Sequence, residues 1–281
     1  MSAPDPSSPL RPVTDEEIAT FERDGVVCLR QIIPAPWLPR MAIAVEDAIC
    51  HQSTTDLGDL ARGLGAPASE PGRFVAGVDH WKELPEFRAF ACESPLPAIA
   101  ASLMRANKIN LYEDSLLVKE PGTVEPTMFH QDLAYFHVEG RQICTAWCPL
   151  DPATRATGAV GYVRGSHRWN RMFKPNLFVS TMAIPDTEGE DLPDVTGLTS
   201  EHDIVYFELG PGDVTFHDAR TIHGADGNAS TGTRRRAISV RYCGDDARYH
   251  LRPGAPRKPH HERVHEGDIL DCDECPVVWP R

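Results

Sequence analysis

The chain has 281 residues, 41% of them hydrophobic, and its 28 basic and 41 acidic residues give a formal net charge of −13. This hydrophobic fraction is sufficient for a folded core, and the length suits one large β barrel or sandwich. Because so acidic a surface repels phosphate backbones and anionic lipids, we expect neither a nucleic-acid partner nor a membrane partner. The sequence has no bilayer-spanning apolar run, and its polar, Pro-rich start lacks the apolar core of a signal peptide. These features predict a cytoplasmic protein.

Eight cysteines are scattered along the chain, and only Cys272 and Cys275 have the spacing of a redox or metal motif. A zinc site would require further ligands, and no second pair accompanies them. The pair lies in an acidic tail, where neighbouring carboxylates are expected to disfavour thiolates. We therefore predict ordinary reduced thiols throughout.

The first part of the chain is predicted to be helical after a mobile arm at residues 1–13. Thr14 and Glu17 form a capping-box pattern, which predicts a helix that ends near Gly25. The remaining elements follow from apolar periodicity and from breaker residues. They are a strand at 26–29, helices at 37–49, 85–91 and 97–106, and an irregular Gly-, Ser- and Pro-rich loop at 52–73.

From residue 108 onward the pattern changes to short β-like runs separated by turns, which is typical of a sandwich or barrel. The predicted strands are 109–119, 130–138, 143–149, 160–164, 204–209, 213–217 and 235–243. No linker-like composition marks the change from helices to strands. We therefore predict one domain at 14–281, mainly β, with the N-terminal helices packed outside a β core at about 109–243.

An acidic stretch at residues 183–203 interrupts the predicted strands. Long segments of this kind are either functional, such as a lid over an active site, or solvated surface loops. The sequence alone leaves both interpretations open.

His130 and Asp132 lie two positions apart in a predicted strand, so both side chains are expected to project from one face. An imidazole and a carboxylate on one face can hold a divalent metal. A second His would complete the two-His-one-carboxylate set of non-haem Fe(II) oxygenases. Among the twelve His, we expect His260, His261 and His265 to be solvated, because they lie in a charged, Pro-bearing tail.

The segment 210–224 contains the best candidates for the second His. A Gly-Pro-Gly turn is predicted to start a strand that carries His217 and leads to His223, which Gly224 follows. A glycine at that position allows the backbone to approach a ligand closely or to turn sharply. Spacing alone does not separate His217 from His223.

Several motifs in order resemble the phytanoyl-CoA dioxygenase family. They are His130-x-Asp132, the run from Thr157 to His167, Gly212-Asp213, His223-Gly224, Asn228 and Arg235-x-Ala237, and residues 14–29 also resemble the usual opening of the family. That family consists of Fe(II)- and 2-oxoglutarate-dependent oxygenases with a double-stranded β-helix core, a jelly-roll or cupin-like fold. The resemblance implies this fold for the chain.

The resemblance also implies the roles of individual residues. By it, His130, Asp132 and His223 are the iron ligands and the catalytic centre, His217 is a strand residue and His167 is part of a turn. The implied cofactors are Fe(II), O₂ and the cosubstrate 2-oxoglutarate.

The implied cosubstrate requires an anchor for its distal carboxylate, and a buried Arg suits this task because its fork of donors matches a carboxylate. Arg234, Arg235 and Arg236 are the choices. Counting residues from His223 favours Arg234, whereas the pattern Arg235-x-Ala237 favours Arg235. We predict Arg235, because strand register is constrained more tightly than loop length. At least one of the three is expected on a basic, solvated turn.

Three further residues are candidates for the cosubstrate pocket. Ser239 shares the predicted strand face of Arg235. Trp147 and Lys119 match positions that line this pocket in the family. Trp147 is equally well explained as a core aromatic residue, and Lys119 as an exposed residue at a strand end.

The resemblance implies hydroxylation of an unactivated C–H of a small-molecule substrate, with release of succinate and CO₂. Asp132 favours hydroxylation, because related halogenases carry Gly or Ala there and so leave room for a halide. Gln131, Tyr135 and His137 are predicted to contact the substrate. Two alternatives remain open: a cupin-type metalloenzyme that does not use 2-oxoglutarate, and a non-catalytic barrel that binds a small molecule.

Overall fold

The computed structural model describes residues 5–51, 54–65, 72–197 and 201–281. The helices in these ranges are α1 (Asp15–Asp24), α2 (Trp37–Cys50), α3 (Leu57–Gly63), α4 (His80–Glu83), α5 (Pro85–Glu93) and α6 (Leu96–Met104). The strands are β1 (Val26–Leu29), β2 (Thr55–Asp56), β3 (Phe74–Val78), β4 (Ile109–Lys119), β5 (Thr127–His130), β6 (Val138–Glu139), β7 (Ile143–Pro149), β8 (Val160–Val163), β9 (Ile204–Tyr206), β10 (Val214–Asp218), β11 (His223–Ala225), β12 (Arg235–Cys243), β13 (Arg248–Tyr249) and β14 (Val277–Trp279). None of the helices within the described ranges is long and apolar enough to cross a membrane.

Two antiparallel sheets form the core. In the described part of the chain the larger sheet has the order β1-β10-β7-β12-β4-β3-β2, with β14 paired to β4, and the smaller sheet has the order β5-β11-β8-β9. Side chains from both sheets line one cavity, so the sheets close on each other as the two halves of a jelly roll. The predicted double-stranded β-helix core is confirmed.

Strand β12 separates the helical core from the cavity. Its even-numbered residues from Ile238 to Tyr242 are fully buried and pack with apolar residues of α2, α5 and α6. Arg235, Ser239 and Arg241 project to the other side and line the cavity. Successive residues of a strand point to opposite faces, and this alternation puts the helices outside the β core, as predicted.

The first helix begins and ends where the sequence predicts. The Thr14 hydroxyl accepts a hydrogen bond from the Glu17 amide (3.2 Å), and the Glu17 carboxylate accepts one from the Thr14 amide (2.9 Å). Gly25 ends the helix with a φ of 76°, a left-handed conformation that glycine adopts without a Cβ clash. The capping-box prediction is confirmed.

Part of the predicted mobile arm contacts the body of the protein. The carbonyl oxygen of Pro6 accepts a hydrogen bond from the indole of Trp37 (2.7 Å), and that of Ile32 accepts one from the Leu10 amide (3.0 Å). These bonds hold the later part of the arm against the body. Residues 1–4 lie outside the described residues.

The prediction of an irregular loop at 52–73 is wrong for the residues that form β2 and α3. The side chain of Asp56 caps α3 by accepting a hydrogen bond from the Gly58 amide (2.9 Å). Strand β2 pairs with β3, which the sequence pattern did not predict, at the edge of the larger sheet. The prediction relied on the abundance of Gly, Ser and Pro in the whole segment and so overlooked Asp56 as the N-cap of a short helix. Residues 52–53 and 66–71 lie outside the described residues.

Two of the tail histidines predicted to be solvated are buried. His260 and His261 are 4% and 2% exposed, and their rings pack against each other with centroids 4.2 Å apart. The ring of His261 also contacts that of His137, at 4.4 Å. Here the tail folds back on the domain, which its charged composition did not indicate. The prediction holds for His265, whose side chain is 87% exposed.

Two residues of the acidic stretch at 183–203, Leu192 and Val195, share an apolar cluster with Val163 of β8. Val195 is buried in one apolar cluster with Phe173 and Ile222. Residues 198–200 of the stretch lie outside the described residues. These contacts show how the segment is anchored, and the lid and the solvated surface loop stay the two alternatives.

Candidate metal centre and cosubstrate pocket

A cavity lies between the two sheets. The predicted site residues that line it are His130, Asp132, Trp147, His223, Arg235 and Ser239. They come from both sheets and from positions more than 100 residues apart in the chain. The fold therefore brings most of the predicted site together.

Three ligand atoms converge at one point on the cavity wall. The Nε2 atom of His130 lies 3.5 Å from Oδ1 of Asp132, and the Nε2 atom of His223 lies 3.7 Å from the same oxygen. These atoms all lie within 4.8 Å of one another. The three side chains are at most 10% exposed. Two imidazoles and one carboxylate at this spacing can hold a single metal ion.

Backbone carbonyl groups fix the orientation of both imidazole rings. Nδ1 of His130 donates to the carbonyl oxygen of Met128 (2.7 Å), and Nδ1 of His223 donates to that of Thr221 (2.9 Å). Because a carbonyl oxygen only accepts, each ring carries its proton on Nδ1 and leaves Nε2 free to bind a metal. Burial lowers the pKa of His223 well below its usual value, which favours the neutral form that a metal requires.

The two oxygens of Asp132 have different surroundings. Oδ2 accepts hydrogen bonds from the Thr145 hydroxyl (2.6 Å) and from Nε2 of His217 (3.3 Å). Oδ1 is the oxygen that faces the other two candidate ligands. The bonds to Oδ2 therefore hold the carboxylate in the orientation that presents Oδ1.

Asp132 is ionised although it is buried. Burial by itself raises the pKa of a carboxyl group, but the positive charge of Arg241 and the hydrogen bond from His217 hold the pKa of Asp132 well below its usual value. Nε of Arg241 lies 3.9 Å from Oδ2. The carboxylate is thus in the form that binds a cation.

The prediction that His130 and Asp132 share one strand face is wrong. His130 is the last residue of β5, and Asp132 begins a 3₁₀ turn that extends to Tyr135. Gln131, between them, is held by bonds from its side-chain amide to the Arg220 carbonyl (2.9 Å) and from the Phe173 amide to its side-chain oxygen (3.1 Å). The chain turns there, and the turn brings Asp132 to Thr145 of β7.

The structure brings both candidates for the second His to the cavity. His223 lies directly opposite His130 in the pairing of β11 with β5, whereas His217 lies on β10 behind Asp132. The strand position of His217 and the turn position of His167 agree with the resemblance. The contact of His217 with Asp132 was missed, since the sequence does not show which strands become neighbours.

Among the three consecutive arginines, Arg235 is the one that lines the cavity. It is 2% exposed, its Nε atom is buried without a hydrogen-bond partner, and no carboxylate of the described residues forms an ion pair with it. Burial lowers its pKa to about 10, so it stays charged at neutral pH. By contrast, Arg234 pairs with Glu46 (2.7 Å) and Glu120 (2.6 Å) near the surface, and Arg236 is turned to the opposite face of β12.

The remaining pocket candidates surround Arg235. The Trp147 ring centroid lies 5.5 Å from its guanidinium carbon, and Nε1 of Trp147 is buried without a partner. Ser239 lies opposite Trp147 in the pairing of β12 with β7. Lys119 is fully buried opposite Arg235, so it is not an exposed strand end, and its Nζ donates to the Asp226 carbonyl (2.7 Å).

None of the three predicted substrate residues is among those that line the cavity. The imidazole of His137 contacts backbone atoms at both nitrogens: the Pro256 carbonyl (3.0 Å) and the Arg252 amide (3.0 Å). Gln131 is likewise held by backbone groups of other segments. Tyr135 packs edge-on against His130, with ring centroids 5.5 Å apart. Of the three, Tyr135 is therefore the one whose ring packs against a proposed metal ligand.

Phe178 is a cavity residue that the sequence did not indicate. Its ring centroid lies 5.3 Å from that of His130, and its φ of 63° is in the left-handed region, which is strained for an aromatic residue. Asn176 stabilises this conformation: Oδ1 accepts from the Phe178 amide (2.9 Å), and Nδ2 donates to the Phe129 carbonyl (2.9 Å). Backbone strain of this kind clusters at functional sites.

Gly224 allows β11 to approach β5 closely. A Cβ atom there would lie 2.8 Å from Cδ2 of Phe129 and 2.9 Å from the carbonyl oxygen of Thr127. We expect Gly224→Ala to lower the free energy of unfolding by about 1–3 kcal/mol, because the added methyl overpacks the site. Gly232→Ala is the control, since its Cβ would meet nothing within 4 Å, and it should change stability by less than about 0.5 kcal/mol. Urea denaturation checks both, and equal losses would contradict the explanation.

The similarity to known proteins agrees with this geometry. The family model described as Phytanoyl-CoA dioxygenase (PhyH) matches residues 21–237. A probable phytanoyl-CoA dioxygenase of Caenorhabditis elegans is 24% identical over 243 residues, which cover 82% of this chain and 75% of that protein.

Solved structures show the same fold. The non-heme alpha ketoglutarate dependent carbocyclase SnoK from nogalamycin biosynthesis superimposes with a TM-score of 0.74 at 26% identity, covering 95% of this chain and 96% of SnoK. The epimerase SnoN, in complex with Fe3+, alpha ketoglutarate and nogalamycin RO, has a TM-score of 0.69 at 23% identity, covering 94% of this chain and 98% of SnoN. Since the family model spans most of the chain, the protein belongs to the phytanoyl-CoA dioxygenase (PhyH) family, the non-haem iron dioxygenases that use 2-oxoglutarate and O₂.

Proposed function

We propose that His130, Asp132 and His223 hold Fe(II), that Arg235 anchors 2-oxoglutarate, and that the enzyme hydroxylates an unactivated C–H of a small molecule. Succinate and CO₂ are the coproducts. The observation that carries this proposal is the convergence of two Nε2 atoms and Oδ1 beside a buried arginine that has no carboxylate partner among the described residues.

The residues around the ligands suit a metal. Both imidazoles are oriented by carbonyl groups, and Thr145 and His217 hold Oδ2 of Asp132. When bound, iron supplies the activation of O₂ that oxidises the substrate. The protein contributes ligands in a fixed orientation, on side chains that are at most 10% exposed.

The pocket around Arg235 suits a dicarboxylate. Its guanidinium would bind the distal carboxylate through parallel hydrogen bonds, and the unpartnered indole N–H of Trp147 would donate to the same ligand. Ser239 adds a hydroxyl to this wall. Lys119, whose amine donates to the Asp226 carbonyl, would hold the pocket wall rather than touch the ligand.

The substrate would approach His130 from the side of Tyr135 and Phe178. Both rings pack against this imidazole, so they would shape the position of the reacting C–H. We assign a structural role to Gln131 and His137, because backbone groups engage their polar atoms.

Asp132 favours hydroxylation, since a carboxylate occupies the position that a halide would need. The similarity to a carbocyclase supports a second outcome, a ring-forming oxidation. Turnover under labelled O₂ separates the two outcomes. Hydroxylation places one labelled oxygen atom in the product formed from the substrate, whereas ring formation places none there.

Anaerobic addition of Fe(II) and 2-oxoglutarate, followed by O₂, tests the proposal. We expect an absorption band from the metal–cosubstrate complex and then succinate, including slow uncoupled succinate without substrate. A protein that gives neither the band nor succinate, even with candidate small-molecule substrates, would refute it.

The hydroxyl of Thr145 offers a test of the metal site. We expect Thr145→Val to weaken Fe(II) binding by about 10–100-fold, because it removes the shortest bond to Oδ2 of Asp132. Thr215→Val is the matched control, since that buried hydroxyl bonds to Tyr162 (2.8 Å) and not to Asp132. Titration with Fe(II) under anaerobic conditions measures both dissociation constants. Equal weakening by the two variants would argue against a specific role of Thr145.

A further inference from the structure

Cys272 and Cys275 lie on a turn next to β14, outside the metal centre. The amide of Cys275 donates to the carbonyl oxygen of Cys272 (3.0 Å), which brings the two residues together. Cys272 is exposed, whereas Cys275 is buried and 1% exposed. One thiol therefore faces solvent and the other lies behind it.

The turn is fastened to the larger sheet. Nδ2 of Asn110, on β4, donates to the carbonyl oxygen of Cys275 (2.7 Å) and to the carboxylate of Asp271 (3.1 Å). Lys108 pairs with the same carboxylate (2.5 Å). These contacts on both sides of the pair hold the two sulfurs in a defined arrangement.

One hydroxyl group lies within contact distance of both sulfurs. The Tyr249 hydroxyl lies 3.4 Å from Sγ of Cys272 and 3.4 Å from Sγ of Cys275. The side chains of these two cysteines, which two residues separate in the chain, thus converge on a single polar group. Such an arrangement suits a pair of thiols that react with each other.

The surroundings stabilise a thiolate at Cys272. Hydrogen bonds from the Cys275 thiol, from the Tyr249 hydroxyl and from the backbone amides of Glu274 and Cys275 lower the pKa of Cys272 to about 5. The hydrogen bond with Cys272, together with burial, raises the pKa of Cys275 well above its usual value. The Glu274 carboxylate beside the pair is itself paired with Lys82 (3.1 Å).

We propose that Cys272 and Cys275 form a reversible disulfide by exchange with low-molecular-weight disulfides. Cys272 is the attacking thiol, and Cys275 is the resolving thiol. This site is independent of the proposed oxygenase reaction.

The exchange balances in two steps. The Cys272 thiolate attacks one sulfur of the small disulfide, breaks its S–S bond and releases one small thiolate, leaving a mixed disulfide. The Cys275 sulfur then attacks Sγ of Cys272, the mixed S–S bond breaks, and the second small thiol leaves with the proton from Cys275. Two protein thiols are oxidised, and one small disulfide is reduced to two thiols.

Alkylation rates test the first step. At about pH 6 an ordinary thiol is less than about 1% thiolate, although the lower nucleophilicity of an acidic thiol offsets part of the advantage of Cys272. We expect iodoacetamide to modify Cys272 of the full-length, reduced protein about tenfold faster than the exposed Cys50, as measured by peptide mass spectrometry. A Cys272 rate equal to or below that of Cys50 would overturn the assignment of Cys272 as the attacking thiol.

Equilibration of the full-length protein with mixtures of reduced and oxidised glutathione tests the second step. We expect an intramolecular link between Cys272 and Cys275 that dithiothreitol reverses. Cys275→Ser should instead accumulate a mixed disulfide at Cys272, and Cys272→Ser should give neither product. If Cys50 becomes modified while the pair keeps two free thiols, the proposal is wrong. Succinate formation is measured in parallel, so failure of the disulfide and failure of the oxygenase reaction remain distinguishable.

Discussion

Replacement of His223 by alanine is expected to abolish succinate formation and to weaken Fe(II) binding by more than about 100-fold. Loss of an outer-sphere partner of a metal ligand already costs about 10–100-fold in affinity, and this change removes a ligand itself. It also leaves His130 and Asp132 as the remaining residues of the proposed ligand set. Anaerobic Fe(II) titration and a succinate assay measure the two effects.

The tail supplies a matched control. His265→Ala removes an imidazole that is 87% exposed and distant in sequence from the predicted ligands, so both metal binding and succinate formation should be unchanged. Retention of full iron affinity by His223→Ala would contradict the proposed ligand set. In that event His217, the other imidazole beside Asp132, would be the next residue to replace.

Replacement of Arg235 by alanine is expected to raise the KM for 2-oxoglutarate by about 100-fold. A hydrogen bond to a charged group contributes about 1.5–3 kcal/mol, and the variant removes the charge that lies unpaired in the cavity. The measurement is the dependence of succinate formation on the 2-oxoglutarate concentration. Arg234→Ala is the control, because that side chain pairs with Glu46 and Glu120 near the surface, and its KM should stay within about twofold.

The Arg235 result also separates the proposed function from the alternatives. The activity of a metalloenzyme that does not use 2-oxoglutarate would be unchanged by Arg235→Ala. A non-catalytic barrel would form no succinate at all, and replacement of His130 would then have no turnover to abolish. A large rise in KM for Arg235→Ala, with normal behaviour of Arg234→Ala, is expected only from the 2-oxoglutarate-dependent reaction.

Much of the architecture was predictable because it depends on local patterns. The capping box at Thr14 and Glu17 predicted the first helix, and the Gly and Pro punctuation after residue 108 predicted a β core. Alternation along β12 predicted that Arg235 and Ser239 share one face, and both line the cavity. The order of short motifs indicated the family, which the family model confirms over residues 21–237.

Local patterns were less reliable where a segment is short or where the chain turns. Strand β11 has three residues, too few for a periodic signal, although it carries His223. The run after His130 has apolar residues at strand-like spacing, yet it forms a 3₁₀ turn. Contacts of Gln131 with distant backbone groups stabilise that turn, and a local pattern contains no information about them.

The sequence by itself thus determined the fold class, the family and the residue types of the candidate metal centre. Only the tertiary structure decided that Asp132 presents Oδ1 because Thr145 and His217 hold Oδ2. It also decided that Phe178 packs against His130 and that the Tyr249 hydroxyl lies 3.4 Å from Sγ of Cys272 and of Cys275. The physical reason is the same in each case. Periodicity determines which way a side chain points within its own element, whereas its partners, its burial and its charge state depend on residues that packing brings from elsewhere in the chain.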